Sequence, residues 1–408
     1  MTDMAPDASR AFGQRVLGPI LAEFSMRLWA YLAAIKTPDD ACVLFCARGG
    51  LRLQELFERF TDRTGLGSPV PVGTLMVSRL VAARTALARG AASALDELGR
   101  EFEGATARQV AESLTQAKLP LGSRWDISFD RTGFLRLMAE EPDAAGVNAA
   151  IAEQNELFAE HLEQAAAGRR RLVLCDTGLY GSTIRLLLDG MPKFSWECVM
   201  IARANYKGFA TDHYAKTTGL LVERDLYSPV DRRSVLLRYW HLFEWVLEPE
   251  LPSVRLFHHD PSGVPRSNLE VPGWRDRVQP AGGGMFAGIL DYFDGLSSGW
   301  VARNSQQDTD AAWNELRQIL RFPRAQDAAM LRLSDRSQDF GRSSLWPVPS
   351  SKSVTALQIF KGMKRSLWRE GEIAFNFRHT RPVILRGMET VHMARWVWHE
   401  IILRQSRG

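Results

Sequence analysis

Cysteine is scarce and carries no paired spacing. The four cysteines among 408 residues, Cys42, Cys46, Cys175 and Cys198, form no CxxC motif and sit in apolar surroundings. They are read as buried thiols, which argues against a disulfide framework or a zinc site. Long apolar runs are missing as well, with no stretch of about 18 uninterrupted apolar residues that would cross a bilayer as a helix. The opening residues MTDMAPDASRAFGQR are polar and lack the apolar centre of a secretory leader, so a cytoplasmic protein is expected. Solenoid-type repeats and low-complexity segments are absent too, which excludes repeat arrays.

What is present is a hydrophobic content of 45%, enough for a sizeable globular core. Net charge is only +4, but it is unevenly placed. Between Ser351 and Gly408 there are eleven Lys or Arg against four Glu, so this tail is +7 and the remainder about −3.

Residues 12–35 place Phe12, Val16, Ile20, Phe24, Leu28, Tyr31, Leu32 and Ile35 at helical spacing and predict an amphipathic helix. Ala41–Cys46 is an apolar run of strand length that leads through Ala47-Arg48-Gly49-Gly50 into a helix. Val70–Val77 is a second strand candidate and ends at Ser78-Arg79. Residues 84–168 read as helical, with Thr106 and Asp130 as candidate caps. A third strand is Leu172–Cys175, ending at Asp176, and a fourth is Phe194–Ile201, followed by Arg203 and Asn205-Tyr206-Lys207-Gly208. An aromatic helix carries Glu244 and Glu248, and residues 256–284 read as an irregular loop. Helices are expected at about 285–298 and 309–333.

Alternating strands and helices predict an α/β fold with a parallel sheet. Its core is expected in two halves, 12–83 and 169–255, around a helical insertion at 84–168. The 256–284 loop then leads into a helical, basic region at 285–408. In open parallel sheets ligands sit beyond the carboxyl ends of strands, where Arg48, Ser78, Arg79, Asp176 and Arg203 all fall.

The most informative stretch is LVLCDTGLYGST, a strand, a small-residue loop and a helix start. Thr177, Gly178, Gly181, Ser182 and Thr183 give a flexible backbone and hydroxyls beside a helix N-terminus, a ready phosphate site. The stretch resembles the ribose-phosphate motif of type I phosphoribosyltransferases. The resemblance implies that Asp176 holds a ribose hydroxyl, and that Thr177, Gly178, Tyr180, Gly181, Ser182 and Thr183 wrap a 5-phosphate. Cys175 stands where that family usually has a second acid. VLFCARGGLRLQEL is similar to the family's pyrophosphate loop, which implies that Arg48, Gly49 and Gly50 face a departing pyrophosphate bridged by Mg²⁺.

A broader resemblance covers residues 15–300. The series ARGG, VSRLVAARTAL, CDTGLYGST, NYKG and FEWVLEPELPSV looks like the region after the phosphatase-like domain in predicted HAD-superfamily proteins of bacterial polysaccharide clusters. The DxDxT nucleophile motif of the phosphatase itself is absent, so no phosphatase is expected.

The expected function is therefore binding of a phosphoribosyl, sugar-phosphate or nucleotide ligand, with group transfer. Two alternatives stand beside it: a catalytically inactive ligand-binding or regulatory module of the same fold, and a protein that binds nucleic acid or an anionic membrane surface through 351–408. Each site residue also has an ordinary structural reading. Asp176, Ser182 and Thr183 can cap a helix, the glycines can serve turns, Ser78 and Arg79 can simply open a helix, and Glu244, expensive to bury unpaired, is either the partner of an arginine or a general base.

Overall fold

The computed structural model describes residues 6–279, 284–303, 305–331, 336–337, 345–346, 366–377 and 379–405. Part of the expected basic tail, residues 351–365, 378 and 406–408, lies outside the described residues, as do Gly282, Gly283 and positions 332–333 of the second expected C-terminal helix.

Five parallel strands form the central sheet: β1 (Ala41–Cys46), β2 (Val72–Leu75), β3 (Arg171–Asp176), β4 (Ser195–Arg203) and β5 (Thr217–Glu223). Their spatial order is β2-β1-β3-β4-β5. Helices cover both faces, which is why the strands read as continuous apolar runs rather than alternating ones. Alternate residues divide between two cores. Val43, Phe45, Val173, Cys175, Val199 and Ile201 face one layer, while Cys42, Leu44, Leu172, Leu174, Cys198 and Met200 face the other.

The first layer holds α1 (Pro6–Phe12), α2 (Gly18–Ala33) and α3 (Gly49–Thr64). In α3 the apolar residues Leu53, Leu56, Phe57 and Phe60 recur at three- and four-residue spacing and are buried against β1 and α2. The second layer holds α4 (Arg79–Ala88), α5 (Ala92–Glu101), α6 (Ala107–Thr115), α7 (Arg131–Glu140) and α8 (Ala144–Ala166), all between β2 and β3. It also holds α9 (Ser182–Gly190), the crossover from β3 to β4. Thr106 and Asp130 cap α6 and α7 as expected, Thr106 in a reciprocal capping box with Gln109.

The aromatic helix α10 (Trp240–Leu247) packs on α3. It is followed by α11 (Met285–Asp294), α12 (Ser298–Arg303), α13 (Ser305–Arg321) and α14 (Ala325–Met330). The last described elements are α15 (Arg369–Asn376) and α16 (Arg381–Gln405). They dock inward through acids. Glu370 pairs with Arg238, and Glu389 lies 3.2 Å from Arg238 and 2.6 Å from Arg321.

Two features differ from the sequence reading. The sheet has a fifth strand, β5, which begins Thr-Thr-Gly and lacks a continuous apolar run. The 256–284 segment is not wholly irregular, because Phe257–His259 and Pro265–Ser267 pair as a short antiparallel hairpin.

Candidate functional site

β1 sends its connection to one side of the sheet and β3 sends its own to the other, so the strand order reverses between them. A crevice opens at the carboxyl ends of two such strands, where ligands of doubly wound sheets bind. Both glycine loops lie there.

β1 leaves Cys46, turns through Ala47 and Arg48, and starts α3 at Gly49. β3 leaves Asp176, turns through Thr177–Gly181, and starts α9 at Ser182. The loops touch. A Cβ on Gly49 would lie 2.7 Å from the Thr177 methyl, and one on Gly50 would lie 3.3 Å from the Cys175 carbonyl oxygen. Gly178 has φ +125°, and a Cβ there would come within 2.4 Å of the Ala202 carbonyl oxygen. Each loop contains one cis peptide, Ala47–Arg48 and Gly178–Leu179.

Neither α3 nor α9 has a side-chain cap, whereas Ser78, Thr106 and Asp130 cap α4, α6 and α7. The open N–H groups of α3 and α9, with their positive dipole ends, converge on the crevice. Ser182, Thr183 and Thr177 line the β3 loop and are nearly buried.

Asp176 stands between the two helix starts. Its Oδ1 accepts the Thr177 N–H at 2.7 Å. Burial pushes its carboxyl up to about 6; the Thr177 N–H works against that shift and the Glu244 carboxylate adds to it. Glu244 itself lies 2.9 Å from His241 Nδ1, one turn earlier on α10. Glu248, the residue that follows α10, lies 3.4 Å from Arg48 on the β1 loop.

Other expected site residues also bond to the surrounding frame. Ser78 caps α4 and donates to the Val254 carbonyl at 2.7 Å. Arg79 pairs with Glu101 at 2.8 Å, close enough to Asp176 to favour its charged form. Arg203 donates to the carbonyls of Tyr214 and Thr217 at 2.9 and 2.8 Å, which fixes the β4–β5 connection. The Tyr180 side chain packs against His213, and its hydroxyl donates to the Ala210 carbonyl at 2.5 Å. Cys175 is wholly buried in the core layer, and burial holds its thiol well above the usual range.

Lys207 is the residue that sequence reasoning missed. Its Nζ donates to Glu97 at 2.6 Å and to the Ser182 hydroxyl at 2.5 Å, so a buried cation rests on the first residue of α9. The two side chains are 1% and 0% exposed. Burial lowers the Lys207 ammonium to about 8, with Glu97 opposing the shift. The other oxygen of Glu97 has no hydrogen-bond partner among the described residues. The one sequence signal was the lysine in NYKG at a strand end; nothing local marks Glu97 on α5.

Among the described residues there is no group of three or more His, Cys, Asp or Glu that could hold a metal ion. Three surface pockets, the largest about 400 Å³ and lined in part by Asp291, Tyr292, Trp300 and Asp308, lie away from these loops. The arrangement can receive an anion at two helix starts and hold a hydroxyl at Asp176. Compared with protein-family models and with curated protein sequences, the chain matches none.

Proposed function

We propose that the protein binds a phosphoribosyl, related sugar-phosphate or nucleotide ligand on a phosphoribosyltransferase-type core, with group transfer as its chemistry. The observation that carries this reading is the convergence of two uncapped helix N-termini at the β1–β3 reversal, with Asp176 between them. In this reading the N–H groups of α9 with Ser182 and Thr183 take the 5-phosphate, and Lys207 adds charge beneath it. Asp176 accepts from a ribose hydroxyl. The start of α3, with Arg48, stabilises negative charge on the leaving pyrophosphate, the dominant contribution when a bond breaks ahead of attack.

A second reading is ligand binding without turnover. It is favoured by Cys175, which lies buried in the core where the resembled family offers a second acid. Calorimetry with 5-phosphoribosyl diphosphate, with and without Mg²⁺, tests both readings. Binding with pyrophosphate release, the ribosyl C1 passing to water or to an added amine or hydroxyl acceptor, supports transfer, and binding alone in the presence of such acceptors supports the inactive module. Absence of heat with that ligand, with ribose 5-phosphate and with nucleotides refutes both.

A further inference from the structure

The outward face of α16 carries a line of apolar side chains. Val383, Val391, Val397, Trp398 and Ile401 are 75%, 50%, 43%, 67% and 45% exposed. At 100° per residue they fall within an arc of roughly 120°, and the line from Val383 to Ile401 runs for about 27 Å. The opposite face is already used. Leu385 is buried there, Glu389 binds the Tyr227 hydroxyl as well as Arg238 and Arg321, and His392 packs edge-on against the Tyr227 ring.

Charge selects the occupant of the free face. Arg386 and Arg395 are exposed and flank the apolar arc, one on each side. The carboxylate of Glu389 points inward, so among the described side chains of α16 no acid accompanies those arginines outward.

We propose that this face docks on an anionic lipid bilayer, with α16 lying in the plane of the interface. An apolar stripe bearing a tryptophan and edged by arginines is the pattern of an interfacial helix. No described helix is long and apolar enough to cross a membrane, so the helix lies on the bilayer and does not span it. A nucleic-acid surface would place hydrogen-bonding cations at the centre of the exposed face, where Val391, Val397 and Trp398 stand. Pairing with a second copy of α16 would bring apolar stripes together, but the flanking arginines would find no described carboxylate on the facing helix. This inference is independent of the ligand reading above.

Flotation of the full chain with vesicles tests it. One set is phosphatidylcholine alone, and the other contains about one third phosphatidylserine, where each basic side chain at the surface contributes about fivefold to affinity. Binding should require the anionic lipid and fall as salt is raised. Arg386→Gln with Arg395→Gln should weaken it roughly thirtyfold. Val391→Asp with Trp398→Asp should weaken it at least about tenfold. Both pairs should leave the circular dichroism and melting point unchanged, since the positions are exposed. The proposal is overturned if anionic vesicles are not bound, or if the Asp pair leaves binding intact. It is equally overturned if duplex RNA is bound and vesicles are not, or if the Asp pair dissociates a dimer that never binds vesicles.

Discussion

Asp176→Asn is expected to stabilise the protein while removing its ligand binding. The carboxyl that ordinarily ionises near 3.8 is pushed to about 6 by burial, a difference of roughly two pH units. Each unit corresponds to about 1.4 kcal/mol, so keeping this group charged at neutral pH costs up to about 3 kcal/mol. Asp176 is only half-buried, and water screens part of that cost, which leaves about 1–3 kcal/mol to recover. Asparagine keeps the oxygen that accepts the Thr177 N–H, so that bond survives the change. A folded-state pKa above the unfolded one means that the native protein holds its proton more tightly between about pH 4 and 6, and stability falls as pH rises through that window. The gain from Asp176→Asn should therefore be near zero at pH 4 and complete above about pH 6. Urea unfolding of both proteins at pH 4, 5, 6 and 7.5 reads this directly from the midpoints, provided the slopes agree. A gain that is flat across the window, or a variant less stable at pH 7.5, would refute the account of a desolvated carboxylate. In calorimetry the same variant should give no heat with 5-phosphoribosyl diphosphate. A group that weakens the fold and strengthens binding has the signature of a functional residue.

Lys207→Met should lose about 3–5 kcal/mol by leaving Glu97 buried without its partner, and Glu97→Leu added to it should recover most of the loss. Coupling below about 0.5 kcal/mol in that double-mutant cycle would contradict the pairing. Gly178→Ala should cost about 1–3 kcal/mol, because φ is +125° and the new Cβ would meet the Ala202 carbonyl oxygen at 2.4 Å; an unchanged melting point would exclude that loop geometry. Glu23→Ala should lower the melting point through a loss of about 3 kcal/mol. Glu23 is nearly buried and accepts from Arg27, Arg233 and the Trp313 indole at 2.9, 2.6 and 2.8 Å, so its removal orphans all three donors.

The strands that form the crevice were legible because both of their faces are covered. Ala41–Cys46 and Leu172–Cys175 are apolar without interruption, and each runs into a loop whose glycines stand out. β5 was not legible, because its Gly219 breaks the run. The residue is needed where β4 changes register near Ala202, since a Cβ there would lie 2.7 Å from the Arg203 nitrogen. Asp176 and the loop after it were singled out from local pattern alone. Lys207 and Glu97 are 110 residues apart, and no spacing rule joins them; only the crossing of the helical segment over α9 does. Where the Arg203 side chain goes was not legible either. Position at a strand end does not fix where a long side chain turns, and two backbone carbonyls claimed this one.

The helical segment between β2 and β3 also sets a timetable for synthesis. Ala41 of β1 pairs with Arg171 of β3, 130 residues later. At about 5–20 residues per second on the ribosome, β1 waits on the order of 6–26 s for its inner neighbour. During that interval β2 is its only sheet partner, and the edge awaiting β3 carries unsatisfied N–H and C=O groups beside apolar side chains. Helices α5 to α7 close mostly local contacts and can fold on the nascent chain first, which shortens the effective loop that β1 and β3 must bridge. β1, the first strand made, therefore keeps one edge open for the longest interval, and the growing polypeptide has most need of a chaperone just before residue 171 emerges.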